Sequence, residues 1–380
     1  MRARGYALSV VRVALAALVC LVFSVASAAA GPQRPFLWQC AGIGLQTAQD
    51  TCYERLLLQD IDQSGDPATE LPRIDQRAKA AGGALYANCH MYMHVVGRAW
   101  ASQHHLTLDR LQAVVPRSND PGCSAGFGMG LVMGLGPQII ATGGKSALRT
   151  CDSLPTRMRE FTCVHSLGHA LMRGYHESLF LAVHACKKLG AAAAPDCAQG
   201  AFHDYWIALR GADESTVPMH AVQSPRRLCA EPDYRVYAVQ CWYRYWIEQV
   251  PGPVVGSAAA VLKLCHGLTG GGRVGCIAGA EKAALDTPVG QARMCERMNA
   301  ADGLACLRGV ANQAYAGQPR RERAFFDVCN RMKAPAGCAA WLGQTFNVLE
   351  NGRFRCPSGA LHGACVIGTR RWRQPLVTFA

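Results

Sequence analysis

The spacing of the cysteines constrains this chain more than any other feature. Nineteen occur in 380 residues, and most of them come in close pairs. Cys151/Cys163, Cys186/Cys197, Cys229/Cys241, Cys265/Cys276 and Cys295/Cys306 are 11 or 12 positions apart, while Cys329/Cys338 and Cys356/Cys365 are 9 apart. Successive pairs recur with a loose period in the thirties, which is the period of two-helix repeats. The local sequence repeats too. A first cysteine is often followed by Leu or Met three positions on (CDSL, CKKL, CHGL, CERM, CNRM), and a second by glycine (CAQG, CIAG, CLRG, with CSAG at Cys123).

Segments on both sides of each pair read as helices, such as SLFLAVHAC and RERAFFDVC before a first cysteine and CIAGAEKAALD and CLRGVANQAYAG after a second. Alternating β patterning is nearly absent. The expected unit is a helix A ending near the first cysteine, a short turn, and a helix B beginning at the second. A disulfide would clamp that corner, and closing a loop of this size contributes about 3 kcal/mol in the chain-entropy account. The glycine lets neighbouring B helices approach closely, at a cost in helix propensity. Cys40/Cys52 repeat the spacing, which leaves Cys89 and Cys123 to pair by elimination. The polar stretch 59–76, QDIDQSGDPATELPRIDQ, carries two prolines and is expected as a loop.

This layout is all-α and resembles the α-solenoids built from helix pairs, including cysteine-rich secreted ones. The signature residues of tetratricopeptide and Sel1-like repeats are absent, so the resemblance covers period and layout only. The expected organisation is a signal peptide over 1–28, a helical segment with the Cys40/Cys52 pair and a loop over 29–88, cysteine-punctuated repeats over 89–350, and a disulfide-closed basic tail over 351–380.

Arg2, Arg4 and Arg12 lead into the apolar run ALAALVCLVFSVA, which ends at Ala26-Ser27-Ala28. A charged start, a short apolar core and an A-x-A site describe a secretory signal cleaved near Ala28. The run is shorter than a membrane span needs. Cys20 would leave with it, since the bulky Val19 before it does not suit a lipoprotein signal. The remaining 18 cysteines form an even set, which in an exported chain implies a disulfide framework in the periplasm or outside the cell. A mature chain of about 350 residues buries a sizeable core, so the disulfides do not compensate for small size.

The charge balance is 39 basic residues against 26 acidic, with Arg320-Arg321-Glu322-Arg323 and Arg370-Arg371-Trp372-Arg373 as clusters. Such an excess favours an anionic envelope polymer or lipid headgroups as partners. No zinc-finger, helix-turn-helix or RNP pattern supports nucleic-acid binding. There is no C-x-x-C-H haem attachment, and Ser166 lies outside any G-x-S-x-G elbow. The glycine-rich GFGMGLVMGLG, Gly126 to Gly136, follows no strand pattern and reads as tight helix packing.

Counting six positions from second cysteines gives Met129, His169 and His203 from Cys123, Cys163 and Cys197, and His94 falls one position out of step after Cys89. His90 precedes His94 by four and His165 precedes His169 by four, so each pair shares a helical face. His90, His94, His165, His169 and His203, with Met129, are therefore candidate ligands of a shared ion. Imidazoles suit copper, iron and zinc, and a thioether leans towards copper. Disulfide pairing removes the cysteines as ligands. Carboxylates are scarce nearby in sequence, with Asp204 and Glu177 as the candidates for acid–base chemistry. That scarcity argues against a carboxylate-bridged diiron centre. Placing the histidines in first helical turns also sets them against the helix dipole, which favours an anionic co-ligand.

His104, His105, His176 and His184 read as bystanders. Tyr205, Trp206, Trp242, Tyr243, Tyr245 and Trp246 read as core, or alternatively as an aromatic groove for a small organic substrate. The functional expectation is an exported copper or non-haem iron oxidoreductase. The alternative is a non-enzymatic scaffold that binds a protein or an anionic envelope surface on a concave face.

Overall fold

A computed structural model describes residues 37–115, 122–154, 156–208, 224–249, 257–283, 288–317, 322–350 and 352–371. The expected signal peptide, Arg320-Arg321 and the end of the basic tail from residue 372 lie outside the described residues. Every regular element among them is a helix. We label α1 (Gln46–Ser64), α2 (Pro67–Ala81), α3 (Gly83–Gln103), α4 (Cys123–Gly134), α5 (Arg157–Gly174), α6 (Ala194–Ala208), α7 (Ala238–Gln249), α8 (Gly270–Ala283), α9 (Ala300–Gly317), α10 (Pro335–Leu349) and α11 (His362–Arg370).

Short helices alternate with these labelled ones. Lys145–Asp152, Leu179–Lys187, Pro225–Leu228, Ala258–Leu264, Pro288–Cys295 and Glu322–Arg331 each pack on the labelled helix that follows. The labelled helices also pack in sequence: α3 on α4, α4 on α5, α5 on α6, and so on to α9. Helix α10 packs on α11 and returns to touch α5. Side-chain hydroxyls start several helices, with Thr156, Ser178 and Ser257 each accepting an N–H of the first turn.

The disulfides join Cys40–Cys52, Cys89–Cys123, Cys151–Cys163, Cys186–Cys197, Cys229–Cys241, Cys265–Cys276, Cys295–Cys306, Cys329–Cys338 and Cys356–Cys365. A framework of this kind belongs to an oxidising, non-cytoplasmic compartment. No described helix is long and apolar enough to cross a membrane.

Two expectations are corrected. Cys123 begins α4 as expected, but in the later pairs the second cysteine does not begin its helix: Cys163, Cys197, Cys241 and Cys276 all lie inside α5 to α8, after the helix has started. The disulfide therefore anchors the short helix to the flank of the long one. The stretch 59–76 is not a loop either. It is the end of α1, a turn at Gly65–Asp66, and the start of α2. Pro67 takes the first helical position, where its missing N–H costs nothing, and Asp66 caps the helix by accepting from the Ala68 N–H. Most of its polar residues face solvent, but three of its acids, Asp60, Glu70 and Asp75, are buried and paired. Arg77 bridges Asp60 and Glu70, and Asp75 accepts from the Ser124 backbone and hydroxyl.

Candidate metal centre

Backbone contact between neighbouring helices positions the site. Gly200 of α6 lies against the carbonyl of His165, and Gly168 of α5 lies against that of Cys197. Gly126 and Gly130 of α4 meet the carbonyls of His90 and His94 in the same way. A side-chain carbon at any of these positions would overlap the facing carbonyl oxygen. The recurring glycine thus allows an approach that brings short polar side chains from different helices together.

His165, His169 and His203 meet where α5 and α6 touch. All three are buried, and one ring nitrogen from each lies within 4.8 Å of the others. His169 Nε2 is 3.1 Å from His165 Nε2, which is 3.4 Å from His203 Nδ1. An ion held tetrahedrally at about 2.0–2.1 Å sets its ligand nitrogens about 3.3–3.4 Å apart. Two of the three separations lie near this spacing and the third is within 4.8 Å, so the cluster can hold a metal ion.

The partners of the other ring nitrogens decide which atoms carry lone pairs. His169 Nδ1 is 2.7 Å from Asp204 Oδ1, so its N–H donates there and Nε2 is left as an acceptor. His203 Nε2 is 3.2 Å from Glu248 Oε1, so Nδ1 is left as an acceptor. Arg244 Nη2 lies 3.3 Å from His165 Nε2 and can only donate, which makes that nitrogen an acceptor as well. The His169 and His203 lone pairs point toward His165 Nε2, whose own lone pair accepts from Arg244, so a metal ion there would take the place of the Arg244 N–H. Carboxylate-backed imidazoles of this kind are the usual supports of metal ligands.

Burial holds His94, His165 and His203 well below the usual histidine range, and the Arg244 guanidinium adds to this for all three. The rings are neutral, as ligands must be. Burial also pushes the Glu177 carboxyl up to about 6, reinforced by Asp204. Glu177 is held inward by a turn in which both His176 and Glu177 adopt positive φ, 53° and 62°. Both are non-glycine residues in the left-handed region, which costs free energy and marks an enforced conformation.

These protonation states predict a pH dependence. The unfolded chain protonates its histidines below about pH 6.5, while the folded metal-free protein keeps three of them neutral, so stability falls as pH drops through that value. Each such imidazole contributes up to about 1.4 kcal/mol per pH unit, and Glu177 opposes this with one proton below its raised value. Urea midpoints of the metal-free chain should decrease from about pH 7.5 to about pH 5.5, and a constant midpoint would contradict the assignment.

The six residues expected to share one ion fall into two adjoining groups. His90, His94 and Met129 form the second, with His94 Nε2 at 3.2 Å from both His90 Nε2 and Met129 Sδ. The His94 and His169 rings touch edge-on with centroids 5.7 Å apart, which joins the groups. His104, His105, His176 and His184 are exposed and stand apart from both. Ser166 is buried and donates to the Thr162 carbonyl, as an ordinary helical serine does. Tyr205, Trp206, Trp242 and Trp246 are buried and pack edge-on with one another or with Tyr245, and Tyr243 is buried beside Val239 and Ala278, which places them in the core.

Two further expectations need correction. The histidines do not sit in first turns: His165 and His169 occupy the middle and second half of an 18-residue helix, where the macrodipole has little effect. Carboxylates are not scarce in space, since Asp204, Glu248 and Glu177 all surround the cluster. Glu248 and Arg244 escape a reading centred on histidine. One signal was available, because Asp204 and Glu248 each fall seven positions after a second cysteine, Cys197 and Cys241. No family model, curated protein or solved structure matches the chain.

Proposed function

We propose that this chain is an exported metalloprotein whose three-imidazole site holds copper for one-electron oxidation of a small organic donor. The observation that carries this reading is the convergence of buried ring nitrogens from His165, His169 and His203 within 4.8 Å of one another. Copper is favoured over non-haem iron because the two carboxylates in contact with the imidazoles, Asp204 and Glu248, are committed to their N–H groups, whereas the iron facial triad needs a carboxylate as a ligand. Zinc would fit the same nitrogens but offers no redox couple.

Copper at this site supplies a one-electron couple. The protein's own residues do the rest. Asp204 and Glu248 fix the tautomers and orientations of His169 and His203. Arg244, ion-paired to Glu248 at 3.5 Å, is a partner for an anionic co-ligand or donor. A phenol or thiol donor would lose one electron and one proton, and the Glu177 carboxylate, ionised near neutrality, would take the proton. Dioxygen is the final acceptor in this scheme, taking four electrons and four protons from four donors to give two waters.

The run of helix contacts from α3 to α9 supports the helix-pair solenoid reading over 89–317, and α10, inside the expected 89–350, departs from it by touching α5. The leader over 1–28 would deliver it to the periplasm or the cell exterior, where its disulfides form.

Copper, iron and zinc offered separately to the oxidised, chelator-treated chain test the reading by metal analysis and electron paramagnetic resonance. Copper should bind with nitrogen hyperfine structure. His165→Ala/His169→Ala should hold one copper fewer per chain with its helicity intact, and Asp204→Asn should weaken binding about 10–100-fold. A folded wild-type chain that takes up none of the three metals at these histidines would sink the idea.

A further inference from the structure

His90, His94 and Met129 are not used by the three-imidazole site, yet they form a donor set of their own. Helices α3 and α4 make backbone contact at Gly126 and Gly130, directly over the carbonyls of His90 and His94. That approach brings Met129 of α4 to within 3.2 Å of His94 Nε2, although 35 residues separate them in the chain. His90 reaches the same nitrogen from one helical turn away, Nε2 to Nε2 at 3.2 Å. His90 Nδ1 lies 3.3 Å from the Gly122 carbonyl, so its N–H donates there and Nε2 presents a lone pair to His94. His94 is 1% exposed and Met129 is 9% exposed, so water is largely excluded from these donors.

The chemistry of the set is specific. Two imidazole nitrogens and a thioether, with no carboxylate among them, make a soft and uncharged donor group. Thioethers are poor ligands for hard divalent ions and good ones for copper(I). Bonds of about 2.0 Å to nitrogen and about 2.3 Å to sulfur around one ion need donor separations of about 3.3–3.5 Å, a few tenths from those present.

We propose that His90, His94 and Met129 form a second metal position that takes copper(I), adjoining the three-imidazole site through the His94–His169 contact. The site itself stands on its own donors. The pairing of two copper ions rests on the reading given above for His165, His169 and His203. Contact between the two sets would let an electron pass from one copper to the other without crossing solvent, so the centre would store two electrons in place of one.

The test is an anaerobic copper(I) titration of the full disulfide-bonded chain, with ascorbate as reductant because it leaves the disulfides intact, against a chromogenic copper(I) chelator. X-ray absorption at the copper edge reports whether sulfur is bound. Met129→Leu keeps volume and apolarity and so should fold, and His90→Gln serves as a second variant. The wild-type chain should bind two copper(I) ions with a sulfur ligand visible. Met129→Leu should lose the sulfur signal and weaken one ion by about tenfold or more, and His90→Gln should weaken the same ion. His165→Gln/His203→Gln should keep one ion and its sulfur ligand.

A single copper(I) that is unaffected by Met129→Leu and His90→Gln, with nitrogen ligands only, would overturn the second position and leave the three-imidazole reading standing. A single copper(I) lost in Met129→Leu but kept in His165→Gln/His203→Gln would uphold this position and overturn the other. No copper(I) bound to the folded wild-type chain would overturn both.

Discussion

Full reduction of the disulfides should unfold this protein. Eight of the nine bonds close loops of 9 to 12 residues, and the ninth spans 34. Each short loop contributes about 3 kcal/mol in the chain-entropy account. Even at half that value the set matches or exceeds the roughly 5–15 kcal/mol by which a native domain is stable. Local structure adds to the dependence. The short helices, such as the four-residue Pro225–Leu228 and seven-residue Ala258–Leu264, are far below the length at which an isolated helix persists. Each is held against its long neighbour by the clamp and a few apolar side chains. Circular dichroism melts with and without a thiol reductant would check this. The reduced chain should lose its cooperative transition, and a reduced melting temperature within a few degrees of the oxidised one would contradict the expectation.

Gly200→Ala should have the second largest effect, and it should strike the fold and the site together. The added methyl would overlap the His165 carbonyl oxygen, which belongs to the backbone of α5 and cannot rotate away. The helices would have to separate, at a cost of about 3 kcal/mol or more, at the upper end for overpacking. Separation would pull His203 away from His165 and His169, so metal affinity should fall as well. Gly337→Ala is the matched control. That glycine is also in a helix, but an added methyl there meets nothing within 4 Å, so the change should stabilise by about 0.4–1 kcal/mol. Denaturant midpoints of the two variants should move in opposite directions. A wild-type midpoint for Gly200→Ala would show that the interface is looser than described.

The two glycines differ only in what they face, which indicates how much of the molecule can be read from its letters. Helical character, a helix on either side of each cysteine pair, and the cysteine partners all follow from local spacing. A disulfide between residues 11 or 12 apart needs only one turn of chain between two helices, so the spacing names the partner that the structure joins. The paired histidines are legible for the same reason, because four residues make about one turn and place His165 and His169 on one face. The error at 59–76 had the opposite origin. Proline, aspartate and serine there look like a loop until Arg77 and Ser124 are seen to pair with the acids from a distance.

Histidine register along the chain determined that imidazoles would gather on neighbouring helices. It did not determine how they would sort. The donors His169 and His203 belong with His165, and His90 belongs with His94 and Met129, because the packing of α3 against α4 and of α5 against α6 sets those distances. The supports Glu248 and Arg244 come from α7, 83 and 79 residues beyond His165 in the chain. Which nitrogen of each ring carries its lone pair depends on those supports and on Asp204. Backbone pitch fixes spacing within one helix and can be counted from sequence. Hydrogen-bond direction between helices depends on how closely their backbones meet: the recurring glycines already mark a close approach, and the folded structure decides which carbonyl each one faces.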